Sequence, residues 1–346
     1  MPGIEILLWA GTGNSNPVFI PCYYFSVMTL IRILVVLLLL IIGFYAPAYC
    51  QSSRLPSWEA GVIAGPIGFL GDLGGNSQLG GSFLKDYNHQ STRCAGGAYV
   101  GYHPLDWLAV RLSLIHGGLA GDDAWISPAK GGDGQTRRDR NLDFRSALNE
   151  ATVLAEIYPT VWLEKKAGRK KGNKVKPYAL LGIGLFHFNP QGLYTDPSGR
   201  SSWVDLRPLH TEGEGFPEYP DRKVYALTQL CIPMGTGVKW FVNDRWNISG
   251  EFLYVKTFTD YIDDVSTRYA DPSLFYKYLS PALAPIADYM SNKSPLRNTP
   301  GSDYQPGHKR GDPGNKDGYL RCELKVGIRL GRDYNPWSLS GRDMRY

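Results

Sequence analysis

From Tyr319 to Leu330 the chain alternates without a break. Leu320, Cys322, Leu324, Val326, Ile328 and Leu330 fall on one side, and Tyr319, Arg321, Glu323, Lys325, Gly327 and Arg329 on the other. Successive side chains of a β-strand point to opposite faces, so this element divides an apolar environment from a charged one. The same design recurs upstream. Leu108, Val110, Leu112 and Leu114 oppose Ala109, Arg111 and Ser113. Glu150, Thr152, Glu156 and Tyr158 oppose Ala151, Val153, Ala155 and Ile157. Leu230, Ile232, Met234, Val238 and Trp240 oppose Gln229, Cys231, Gly235, Gly237 and Lys239. Ile248, Gly250, Phe252 and Tyr254 oppose Asn247, Ser249, Glu251 and Leu253. Glycine-rich stretches near 58–68, 94–103 and 178–188 alternate less cleanly. The pattern predicts an all-β chain of eight strands, an even number that suits an antiparallel up-and-down barrel.

The connections add an independent argument. His103–Asp106 and Asn243–Arg245 read as tight turns, and Lys165–Lys176 as a modest basic loop. Between them fall the long segments 71–93, 120–141, 189–223 and 261–318. Short and long connections alternate strictly, which gathers all short turns at one end of the barrel and all long loops at the other. Outer-membrane barrels have this asymmetry, with short periplasmic turns and long extracellular loops.

A soluble eight-stranded calyx also alternates, with its apolar face turned inward around a ligand. Three features favour the membrane version. The charged face mixes both signs: Glu59, Arg111, Glu150, Glu156, Lys239, Glu251, Arg321, Glu323, Lys325 and Arg329. Such groups satisfy one another as pairs inside a narrow lumen, whereas isolated buried charge is costly. Aromatic residues gather near the strand ends (Trp58, Trp107, Trp162, Tyr178, Trp240, Trp246, Tyr254, Phe258), as interfacial girdles require. Loop asymmetry of this size is also unusual for a calyx.

Composition fits this picture. The 346 residues include 40 Gly and 22 Tyr, suited to twisted strands and turns. Net charge is +5, too mild and too scattered to argue for nucleic acid. A mean hydropathy of -0.24 would suggest a soluble chain, but that index is nearly blind to barrels whose strands alternate. No CxxC or Cys/His spacing points to a disulfide framework or zinc.

The segment 28–50 reads as a secretory signal: Arg32 precedes an apolar run from Ile33 to Ala46, and Ala48-Tyr49-Cys50 places cleavage before Gln51. Residues 1–27 read as an extension upstream of the natural start at Met28. The barrel is expected over 51–332 and a periplasmic tail over 333–346.

Candidate chemistry concentrates in the loops. Asp260, Asp263 and Asp264 crowd together where a strand ends. The favoured reading makes them rim carboxylates that hold loop backbone or pair with Arg268. A divalent cation bridging Asp263 and Asp264 to a lipid phosphate or another loop is the second reading, although the EF-hand pattern is absent. A catalytic pair is the third. His210, Glu212 and Glu214 form a second cluster, read as turn caps, with a metal site as the second reading. Ser273, Ser280 and Pro281 suggest short helices inside the last long loop. Lys165, Lys166, Arg169, Lys170, Lys171, Lys174 and Lys176 are candidates to contact an acidic partner or inner-leaflet phosphates. His187 is the histidine best placed for an enzymatic rim site; no cofactor is implied.

Six blocks occur in order: "FLGDL" (69–73), "RNLDFRS" (140–146), "YALLGIGLFHFNPQ" (178–191), "WVDLRPLHTEGEG" (203–215), "LTQLCIPMGTGVKW" (227–240) and "KTFTDYIDDVSTRY" (256–269). Together they resemble the PorG-like family of outer-membrane β-barrels from Bacteroidota-type bacteria, over about Trp58 to Leu330. The resemblance implies an eight-stranded outer-membrane barrel. It also implies that the chain could dock periplasmic parts of a type IX protein secretion machine, as some members do. The expected partners are outer-membrane lipid, lipopolysaccharide and periplasmic secretion proteins, with no enzymatic role. The alternative is a small binding or transport barrel with functional external loops. The basic loop and the tail "GRDYNPWSLSGRDMRY" depart from the family pattern.

Overall fold

The computed structural model describes residues 57–73, 88–126, 133–166, 174–243 and 245–330. The expectations for 1–27, for the signal at 28–50, for Arg169, Lys170 and Lys171, and for the tail at 333–346 lie outside these residues. Eight long strands close into an antiparallel barrel: β1 (Ser57–Leu70), β2 (Arg93–Leu105), β3 (Leu108–Asp122), β4 (Asp143–Ile157), β5 (Val175–Thr195), β7 (Thr228–Phe241), β8 (Trp246–Thr257) and β9 (Gly318–Leu330). A short strand, β6 (Ser201–Asp205), pairs only with the far end of β5. Each strand pairs with its sequence neighbour in the barrel. The β4–β5 ladder and the β1–β9 ladder complete the ring, so the barrel has no free edge.

The two faces of the wall differ as the alternation requires. Along β4 the burial pattern is strictly periodic, with Phe144, Ser146, Leu148, Glu150, Thr152, Leu154 and Glu156 all buried. The outward set includes Val62, Leu114, Leu181, Ile183 and Leu324, each more than half exposed. Four tryptophans, Trp58, Trp107, Trp240 and Trp246, lie exposed around the turn end, and Phe258 is exposed at the loop end. Tyr178 leaves this expected girdle: it is 3% exposed and points inward, because its hydroxyl has a carboxylate partner there. The Trp162 side chain lies outside the described residues.

Both ends are covered. At the turn end α2 (Pro159–Lys166), which follows α1 (Asp133–Arg140) of the β3–β4 loop, packs Val161 against Leu154, Tyr158, Tyr178 and Phe241. At the loop end the long segments fold into a cap that carries β6, α3 (Pro272–Tyr278) and α4 (Ala284–Ser291). The cap has its own apolar core, with Phe275 and Ala287 fully buried among Leu206, Leu209, Phe216 and Met290. Asp271, not Ser273, caps α3: its carboxylate accepts the Ser273 N–H at 2.9 Å, and Pro272 fills the first turn. Ser280 contributes its carbonyl, not its side chain, to the turn that leads into α4.

Candidate functional site

The lumen holds two layers of ionic groups. All ten charged residues of the strands' polar face are buried. In the layer nearer the turn end, Arg111 makes a forked pair with Glu251 (2.6 and 2.9 Å) and reaches Glu156 at 3.0 Å. Lys239 bridges Glu59 (3.2 Å) and Glu156 (3.3 Å), and Lys325 bridges Glu156 (3.0 Å) and Glu251 (2.6 Å). Three carboxylates therefore meet three cations, and each cation serves two acids. Tyr99 donates to Glu59 at 2.7 Å, as Asn247 does at 3.0 Å; Tyr158 donates to Glu156, and Tyr178 to Glu251. Buried ions hold only when the remaining lone pairs are also satisfied, and the tyrosines do this.

Inward glycines make the room. A β-carbon on Gly61 or Gly327 would stand 2.6 or 2.3 Å from the Tyr99 ring or hydroxyl, and one on Gly237 2.6 Å from the Tyr178 ring. Gly61 is the one of these three in a stretch that alternates poorly: its inward position is a floor beneath Tyr99, whereas the inward Gly97, Gly182 and Gly184 lie against the backbone of the neighbouring strand. Tyr99 and Tyr178 could have been found as the aromatic residues interleaved with those glycines.

In the second layer Arg321 pairs with Glu150 (3.1 Å) and Glu323 (3.3 Å), and Tyr319 donates to Glu150 at 2.6 Å. Arg329 lies over the Phe241 ring at 4.4 Å. Toward the loops the lumen is filled by Phe144, Leu148, Phe186, Phe188, Tyr225 and Tyr319. Such a lumen fixes its charges in place by pairing them.

Among the basic candidates, Lys176 requires a correction. It is 1% exposed and bonds Glu164 of α2 inside the turn end, so it is no partner contact; β5 starts at Val175 and its parity turns Lys176 inward. Lys174 is exposed. The Lys165 and Lys166 side chains lie outside the described residues. His187 sits on the outer wall, paired with Thr228 at 2.9 Å, with no acid among its partners in the described residues.

The three loop aspartates are not at a rim. Asp260, Asp263 and Asp264 are each at most 2% exposed, because the cap folds over them. Asp263 accepts the backbone N–H of Leu73 and of Val265, both at 3.0 Å. Asp264 accepts Thr211 (2.5 Å) and Tyr225 (2.6 Å), and its backbone sits at φ 63°, a left-handed conformation that these bonds hold in place. Arg268 pairs with none of them; its guanidinium donates to the Gly307 carbonyl. Arg310, which the pattern did not single out, takes that part: it reaches Glu212 at 3.0 Å and the Asp264 carbonyl. Glu212 also accepts from Ser266 and Thr267, while His210 bonds the Glu214 carbonyl, so the triplet braces turns.

Glu214 keeps one oxygen without a partner among the described residues. Burial first, then the charges of Asp264 and Glu212, push its carboxyl from 4.5 up to about 8. A raised carboxyl favours folding fully below its unfolded value near 4.5 and loses that contribution as pH rises through about 8. Hydrogen exchange at Thr211–Gly215 should therefore be faster at about pH 9 than at about pH 6, beyond the intrinsic base-catalysed rise. The loss should not exceed about 1.4 kcal/mol per pH unit, and Glu214→Gln should flatten it.

No known family model and no curated protein matches the chain. Three solved structures illustrate what it is similar to. Ail, the attachment invasion locus protein of Yersinia pestis, in complex with sucrose octasulfate, is 8% identical with a TM-score of 0.31, over 80% of this chain and 97% of that one. A major outer membrane protein from Thermus thermophilus is 11% identical with a TM-score of 0.34, over 80% and 100%. The outer membrane protein OprG from Pseudomonas aeruginosa is 10% identical with a TM-score of 0.32, over 81% and 99%. At these scores the barrel stands on this chain's own strand pairing.

Proposed function

We propose that this chain is an integral outer-membrane barrel without enzymatic activity, shut to solutes, that anchors periplasmic components of a type IX-like protein secretion machine. One observation carries the membrane part: apolar side chains face outward on all eight long strands, below a row of His116, Asn149, His187 and Thr228 toward the loop end, while ionic ones pair inside. Leu114, Ile183 and Leu324 are each 58% exposed on different strands. Water-soluble monomers rarely expose so continuous an apolar surface, whereas lipid covers it without cost. By the barrel rule the short turns then face the periplasm and the long loops the exterior, against lipopolysaccharide. An anchor is favoured over a channel by the paired lumen, by α2 across the turn end and by the folded cap. The secretion role rests on the resemblance of the six sequence blocks, and among the described candidates the exposed Lys174 is available to a periplasmic partner.

The test is deletion of the gene with fractionation of the culture. Exported cargo is expected to accumulate in the periplasm, and the tagged barrel to co-purify with periplasmic proteins from the outer-membrane fraction. Normal secretion in the deletion strain would reject the role. A second reading, a binding barrel, is favoured by the cap's separate core around Phe275. It predicts normal secretion together with an external ligand that is lost when the cap is trimmed.

A further inference from the structure

One polar feature interrupts the apolar wall. His116 on β3, Asn149 on β4, His187 on β5 and Thr228 on β7 face outward in consecutive register, each opposite the next across its ladder. The His116 Nδ1–H donates to the Asn149 side-chain carbonyl oxygen at 2.8 Å, and His187 Nδ1 shares a bond of 2.9 Å with the Thr228 hydroxyl. These two bonds leave both imidazole Nε2 atoms and the Asn149 amide N–H groups on the exposed face without a partner among the described residues. On β2 the row continues as Gly96, which has no side chain to cover His116. Such a row set against acyl chains alone is costly, because hydrocarbon supplies none of the missing bonds.

The row stands where lipid headgroups begin. Asn149 lies eight residues from Ile157, the turn end of β4. At ~3.4 Å per residue and a tilt of ~40°, that is roughly 20 Å of height, most of an apolar band of about 25 Å. Below the row the next outward register is wholly apolar: Leu114, Ala151, Leu185 and Leu230. Ala151 is its small member, so the wall dips between Leu114 and Leu185. Above the row Arg145 is exposed, and its Nε–H donates to the Gln191 side-chain oxygen at 3.1 Å while its guanidinium lies 4.3 Å from the Trp203 ring centre. These contacts hold the guanidinium in place and leave its Nη groups outward. The carboxylates higher on this face are engaged: Asp205 by the Asn189 and Gln191 amides, Asp143 by the Lys293 ammonium, and Asp122 by the Ala124 N–H.

We propose that the row His116, Asn149, His187 and Thr228, together with Arg145, holds the phosphorylated headgroup of an outer-leaflet glycolipid, with an acyl chain lying over Ala151 beneath it. The proposal rests on the outer-membrane reading given above. Phosphate oxygens only accept, and the face offers them amide, imidazole, hydroxyl and guanidinium donors. Arg145 stands four residues above Asn149 on the same face of β4, about 13 Å along the strand. A lone phosphate spans too little to engage both, whereas an anionic sugar headgroup reaches from one to the other and can lie against Trp203 on the way. The apolar register below the row adds the acyl contact that a soluble anion lacks.

The test uses the full chain folded in detergent, checked by heat-modifiable migration, titrated with lipid A and followed by native mass spectrometry. One lipid A per barrel is expected, with phosphatidylglycerol and dephosphorylated lipid A each binding about tenfold or more weakly. Millimolar inorganic phosphate should not displace the lipid. His116→Ala combined with His187→Ala changes only exposed positions of the wall. It should weaken lipid A binding about tenfold or more while heat-modifiable migration stays unchanged, and Arg145→Gln should weaken it separately. Equal binding of phosphatidylglycerol or of the dephosphorylated lipid would overturn the proposal, as would both variants binding as tightly as wild type; the row would then be an ordinary interfacial girdle. A barrel that folds and fractionates with the outer membrane yet takes up no lipid A overturns this inference alone. A chain that stays dissolved without detergent overturns the membrane reading beneath it as well.

Discussion

Leu324→Arg is expected to destabilise the folded barrel by about 2–4 kcal/mol, measured by denaturant unfolding in phospholipid bilayers. Leu324 is the middle residue of β9, in register with Gly250 on β8 and Ala64 on β1, and it is 58% exposed. In a membrane that position lies near the midplane, where a guanidinium must leave water or deform the bilayer. On a water-soluble calyx the same arginine would sit in solvent and change stability by no more than about 0.5 kcal/mol. One substitution thus separates the two architectures that share this alternation. A near-neutral result would overturn the membrane reading of the apolar wall. A preparation that stays dissolved without detergent would do the same.

The second large effect lies inside. Glu156→Gln should cost about 3–5 kcal/mol, because it leaves three cations facing two carboxylates in a closed space. The Glu156 carboxylate is the shared member of the layer, within 3.3 Å of Arg111, Lys239 and Lys325. The readout is the fraction of protein that refolds to the fast-migrating, heat-modifiable form, together with its unfolding midpoint. Lys239→Met in the same chain rebalances the layer at two against two and should recover part of the loss. A cost under about 0.5 kcal/mol for Glu156→Gln alone would mean that water solvates the cations. The lumen would then be wet, and the case for an anchor over a channel would weaken.

Both substitutions test features legible in the one-dimensional pattern. The period-two alternation of Leu320–Leu330 and its counterparts marks which residues share a face. The spacing of short and long connections marks which end each belongs to. Parity along a strand is a local property, so it survives whatever the rest of the chain does. Tyr178 and Lys176 depart from expectation for a related reason. Both lie at the start of β5, where "VKPYALLGIG" alternates weakly and the phase depends on where the strand begins. The helix α2 that covers Lys176 is not visible in a basic loop. Its Val161 matters only because the barrel end offers Leu154 and Phe241 to pack against.

The loop chemistry is legible only as composition. Asp260, Asp263 and Asp264 announce themselves as a cluster, but the Asp264 partners Thr211 and Tyr225 come from another connection, and Arg310 from 46 residues beyond Asp264. Nothing in their spacing joins them.

What this amino-acid order determines alone is the barrel: strand parity, the two-faced wall, and the division into a turn end and a loop end. These follow from side-chain alternation, which needs no knowledge of neighbours. What only the folded chain decides is which charges meet, which tyrosines lie over which glycines, and that the loop aspartates are buried instead of wet. Those depend on strand stagger and on cap packing, where residues far apart in sequence are brought within hydrogen-bonding distance by the ring's closure.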